Sequence, residues 1–187
     1  MKKTLYIIAG LTSGTLIVLL TSLFPEYFST IPEIGFNSNT STSDVNVWVG
    51  LIFFLSLLLI AKHKFNNILI SLIGFIFAYN LSVYLFIFGL SIISDSYSDF
   101  IPLFISTLLA GIAGGLVVAL ASGTTIGKMC MYGAIFAIPL FFLSLSLYLT
   151  SDNEQTGQIL ISLIHPIWQT GMAWAIYSLT LKQGKEV

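Results

Sequence analysis

The sequence predicts an all-α membrane protein with six transmembrane helices. Three observations carry this reading. Of the 187 residues, 56% are hydrophobic; only 8% are charged; and the few charges sort by position along the chain. A soluble domain carries about 25% charged residues, enough to hydrate its surface. With so few charges here, most of the surface must face lipid.

The apolar residues gather into six stretches, near 4–24, 45–61, 68–90, 101–122, 132–150 and 158–181. A helix needs roughly 20 apolar residues to cross about 30 Å of hydrocarbon. The second stretch is short, and Lys62 and Lys64 extend it if they snorkel to the interface. Helices satisfy backbone groups internally, as lipid demands. A transmembrane barrel would show alternating ten-residue strands, a pattern missing from 51–60 and 83–90. The first stretch follows Lys2 and Lys3 as a signal peptide would. It is too long for a typical signal core and lacks a small-x-small cleavage site, so it reads as a retained span. Residues 1–187 are expected to form a single six-helix domain.

Charge supports the count of six. The seven lysines are Lys2, Lys3, Lys62, Lys64, Lys128, Lys182 and Lys185, and all fall on one side if there are six crossings. Glu26, Glu33, Asp44, Asp95, Asp99, Asp152 and Glu154 fall on the other; Glu186 alone does not. The positive-inside rule then places both termini in the cytoplasm of a plasma (inner) membrane. The longest connection, roughly 25–46, reads as an external loop.

Composition also excludes partners. A net charge of −1 gives no electrostatic case for nucleic acid. Arginine, the residue best suited to bidentate phosphate recognition, does not occur. Cys130 is the lone cysteine, so no internal disulfide or Cys-x-x-Cys metal site forms. With only His63 and His165 beside it, neither a metal site nor a cofactor is expected.

Two small-residue motifs stand out. Gly10 and Gly14 lie four apart in the first stretch, as do Gly111 and Gly115 in the fourth. Such spacing lets helix backbones approach closely. The match raises the prospect of two inverted three-helix halves, an architecture that places transporter sites near the midplane.

No Asp, Glu, Lys or Arg falls well inside a span, so any function at membrane depth uses neutral groups. In the sixth stretch Gln158, Ser162, His165 and Gln169 fall within roughly 60° of one helix face. Lipid would penalise that face, so it points into the bundle. Pro166 among them, and Pro139 in the fifth stretch, remove backbone bonds and kink their helices. In the third stretch Asn80, with Tyr84 one turn on, shares the depth of Gln169 and faces away from a small stripe of Ser71, Gly74, Ala78 and Ser82.

The nearest approach to a serine-nucleophile motif, Leu120-Ala121-Ser122-Gly123, lacks a leading glycine and sits at the opposite depth from His165. No catalytic constellation is present. The expected function is a small-solute transporter or channel, its neutral site formed by Asn80, Tyr84, Ser162, His165 and Gln169. The rival is a non-catalytic subunit of a larger membrane complex, including a substrate-binding component of a multi-subunit transporter. In that case the glycine faces would hold partner helices, or copies of the same chain.

Overall fold

Six helices follow one another along the chain: α1 Lys2–Leu23, α2 Val47–Leu59, α3 Ile68–Ile93, α4 Phe100–Ser122, α5 Ile126–Leu149 and α6 Glu154–Lys182. The computed structural model describes residues 2–24, 47–93, 100–149 and 154–182, without the side chains of 87–93, 144, 147–149, 154–162 and 182. Among these residues there is no strand. The loop expected at 25–46, and the acids Glu26, Glu33, Asp44, Asp95, Asp99 and Asp152, lie outside the described residues.

Local chemistry sets the helix ends. α1 stops at Leu23, just ahead of Phe24-Pro25, and the residue before proline is driven out of the helical region. Asn67 caps α3: its Oδ1 accepts the Ile70 N–H at 3.0 Å, satisfying one orphan donor of the first turn. α4 ends in left-handed Gly123 (φ 66°), and the following Thr124 N–H bonds Ala119 O at 3.0 Å. That is the Schellman arrangement. α2 ends similarly but with Lys62 in the left-handed region (φ 54°), where a side chain is disfavoured by about 1 kcal/mol. The returning His63 N–H bonds Leu57 O at 3.0 Å.

α1, α3, α4 and α5 are long and apolar enough to cross a membrane. α2, with 13 residues, covers only about 20 Å. α5 begins six residues before the apolar stretch at 132–150, carrying the exposed Lys128 in its first turn. The apolar run is shorter than the helix, which starts in the more polar segment before it. α5 and α6 run through Pro139 and Pro166 without ending.

Each helix packs on its neighbours in sequence, and α6 closes against α1. α6 also touches α4 across the interior. There Trp168 lies 6.1 Å from Phe53 of α2, ring to ring. Glycines make most of these seams tight. A Cβ on Gly10 or Gly14 would fall closer than 3.0 Å to the α6 backbone at Thr170 or Pro166. Gly50 meets α3 at Ile76, Gly74 meets Ala121 of α4, and Gly171 meets Phe136 of α5. Gly111 and Gly115 press on α5, at Gly133 and Met129. The small stripe of α3 therefore packs on α4, where Ser71 also donates to Ala121 O at 2.6 Å.

The two Gly-x-x-x-Gly motifs do different work. A two-fold relating α1–α3 to α4–α6 would pair the α1–α6 seam with α4–α3. Gly10 and Gly14 do face α6, but Gly111 and Gly115 face α5. Their match in sequence is not a match in packing, and it gives no support to inverted halves.

The pairs Gly10–Thr170 and Gly14–Pro166 set α1 antiparallel to α6, and Gly74–Ala121 with Gly114–Ser82 do the same for α3 and α4. Lys2 and Lys3 at the start of α1, Lys62 and Lys64 before α3, Lys128 at the start of α5 and Lys182 at the end of α6 thus gather at one end of the bundle. Outside, large apolar side chains are exposed along α1 to α5, among them Leu11, Leu19, Leu59, Phe77, Leu120 and Phe142. Such a surface fits lipid rather than water.

Candidate functional site

Gln169 is fully buried in the middle of the α1–α6 seam. Its Oε1 lies 2.5 Å from the Ser13 hydroxyl, which also lies 2.9 Å from Gly10 O. Ser13 is itself fully buried. One hydroxyl hydrogen serves one acceptor at a time. The Nε2 end of the Gln169 amide has no hydrogen-bond partner among the described residues, and neither does the buried Oγ1 of the adjacent Thr170. A buried donor left without a partner costs about 1–3 kcal/mol.

His165 lies one turn from Gln169 on the same face of α6 and is half-buried. Its ring packs on Tyr79 of α3, with centroids 5.7 Å apart. Pro166, half-buried beside it, is received by the gap at Gly14. Pro139 is exposed on the outside of α5. The backbone of α6 carries Gln158 and Ser162, but their side chains lie outside the described residues.

The two other expected members lie on α3. Asn80 is half-buried and donates from Nδ2 to Ile76 O of its own helix at 2.8 Å. Tyr84 is 62% exposed, on the same outward face as Ile73 and Phe77. The physical reason is helical phase. With Ser71, Gly74, Ala78 and Ser82 held against α4, it is Tyr79 that turns toward His165, and Asn80 is carried about 100° further round. Ser13 and Tyr79 are the residues that contact Gln169 and His165. Ser13 lies within the small-residue stretch of α1, whose glycines bring the two backbones close enough for a short side chain to reach across.

A second buried polar cluster lies at the lysine end. The Tyr6 hydroxyl is 2.7 Å from Nδ1 of His63. Both residues are buried. Tyr6 also packs on Tyr177 of α6 at 5.3 Å, and His63 on Phe65 at 4.5 Å. The pair ties the start of α1 to the α2–α3 turn. Sequence reasoning passed over it because His63 lies between two exposed lysines. The usable signal was topological: the six crossings expected from the sequence would bring residue 6 and residue 63 to one depth.

Ser122 at the end of α4 donates to Val118 O and lies 3.0 Å from the Thr124 hydroxyl. Among the described residues no three His, Cys, Asp or Glu side chains cluster as a metal ion would require. Comparisons with protein-family models, with curated proteins and with solved structures find no match.

Proposed function

We propose that this chain is a multi-pass protein of a plasma (inner) membrane, crossing six times with both termini cytoplasmic, and that it carries or conducts a small solute past a neutral polar site at Ser13, His165 and Gln169. The observation that supports this most is the fully buried Gln169 with one end of its amide unmatched. Polar groups within a membrane bundle face its interior or a wet path, and those that serve only as glue are satisfied by one another. Thr107, Ser122 and Thr180 are satisfied more locally, each bonding a carbonyl of its own helix. The gathering of lysines at one end supports the orientation.

The subunit reading loses its main surface. Gly10, Gly14, Gly111 and Gly115 are filled by helices of the same chain, which leaves no glycine groove there for a partner. Purification from native membranes, with mass spectrometry of both bound small molecules and bound proteins, separates the two readings. A retained small molecule that is lost in Gln169→Leu supports transport. A stoichiometric protein partner, with no small molecule, supports the subunit.

A further inference from the structure

We infer that the occupant of this site is uncharged and presents a hydrogen-bond acceptor, such as a carbonyl, ether or hydroxyl oxygen, to Nε2 of Gln169. The inference rests on the proposed site and specifies its ligand chemistry. Three observations lead to it.

The first fixes which end of the amide is available. The Ser13 hydroxyl reaches Oε1 of Gln169, a carbonyl oxygen that can only accept, and Nε2 meets no partner among the described residues. The Ser13 hydroxyl therefore donates, the Gln169 oxygen accepts, and both amide hydrogens are left for a ligand. The second concerns charge. The buried polar side chains among the described residues are Ser, Thr, Gln and His, with no Lys, Asp or Glu. His63 is engaged with Tyr6 at the lysine end. His165, the imidazole of the site, carries no fixed charge and packs its ring on Tyr79, so an ion taken into this interior would meet no fixed counter-charge to offset its desolvation. The third is the wall. Trp168, one residue before Gln169 on α6, packs on Phe53 of α2 and against Gly114 of α4, so the neighbouring interior is apolar and offers an ion no partner. Ser106, another buried hydroxyl without a partner, is eight residues along α4 from Gly114 and hence about 12 Å away in depth. It belongs to a different level of the bundle.

The acceptor has two possible sources, a solute or a resident water molecule, and the experiment separates them. The full chain is placed in lipid nanodiscs with ¹⁵N-labelled glutamine, and the side-chain amide signal of Gln169 is assigned by its absence in Gln169→Leu. That variant is expected to fold, since Ser13 keeps Gly10 O within reach. Three probes are titrated: acetamide, a neutral acceptor; acetate, a charged acceptor; and ammonium, a charged donor. Acetamide is expected to move the Gln169 amide protons downfield and to saturate, while acetate and ammonium leave them in place. An unmoved signal that cross-relaxes with water assigns the acceptor as water. A signal moved by acetate or ammonium and not by acetamide overturns the inference, as does one that responds to neither probe nor water. Flux into proteoliposomes then tests the parent reading separately. Acetamide bound at Gln169 but not transported would leave the inference standing and sink the transport reading. Flux of acetate or ammonium that is lost in Gln169→Leu would do the reverse.

Discussion

The hydroxyl of Ser13 and the side-chain amide of Gln169, 156 positions apart in sequence, meet at 2.5 Å in the interior. The two helices that carry them lie nearly backbone to backbone, because Gly10 and Gly14 bracket the contact. The arrangement predicts an unusual order of mutational effects. Ser13→Ala removes the one bond to the amide and leaves Gln169 unsatisfied at both ends. Gln169→Leu removes the amide altogether. The smaller chemical change is expected to cost more, about 1–2 kcal/mol beyond the larger one, with the double variant close to Gln169→Leu alone. Denaturant unfolding in detergent micelles measures all three. Equal and additive losses would mean that the two groups are not coupled.

Glycines give a sharper contrast. A Cβ at Gly10, Gly14 or Gly111 would lie closer than 3.0 Å to backbone of a neighbouring helix, whereas one at Gly127 meets nothing within 4 Å. Backbone cannot step aside as a flexible side chain can. Gly14→Ala is expected to separate α1 from α6, at a cost of about 1–3 kcal/mol. Gly127→Ala, in the exposed first turn of α5, is expected to stabilise by up to about 1 kcal/mol through helix propensity. Melting temperatures of the two variants should move in opposite directions.

The pairing of Tyr6 with His63 predicts a third effect. Tyr6→Phe keeps the ring packing on Tyr177 and deletes only the 2.7 Å hydrogen bond. A loss of about 1 kcal/mol is expected, with faster amide hydrogen exchange at the start of α1 and in the turn at 60–67, and little change in α4. Exchange that rises evenly across the bundle would show that the pair is not a local tie.

How much of this was legible in the sequence follows from what each signal reports. Apolar runs report what the surroundings cover, so the six helices were readable, while α5 at Ile126 and α6 at Glu154 start ahead of their apolar runs. The stripe of Ser71, Gly74, Ala78 and Ser82 was readable as packing surface because small side chains at helical spacing have few other uses. Which helix a face meets was not readable. Asn80 and Tyr79 are adjacent, and only the docking of α3 on α4 decides that Tyr79 turns toward His165. Shared depth with Gln169 and a face opposite the small stripe single out Asn80, and neither says which helix that face meets. Ser13 escaped notice since a serine between glycines looks like helix packing; its bond to Gln169 needs both partners in three dimensions.

The lysine end makes a prediction about topology. The Tyr6–His63 contact sets the start of α1 beside the α2–α3 turn, and the approach of Gly115 to Met129 and Cys130 sets the start of α5 near the far half of α4. Positions 2, 62 and 128 are therefore expected on one side of the membrane. With Cys130→Ala as the background, single cysteines at Lys2, Lys62 and Lys128 can be labelled in sealed inverted vesicles and in intact cells with an impermeant maleimide. All three lysines are exposed, so reactivity reports sidedness and not burial. Labelling of all three in inverted vesicles and of none in intact cells is expected. If position 62 reacted from the opposite side to position 2, α1 and α2 could not both cross as an antiparallel pair. The buried contact between Tyr6 and His63 would then be impossible in the membrane, and Ser13 would lose its place opposite Gln169.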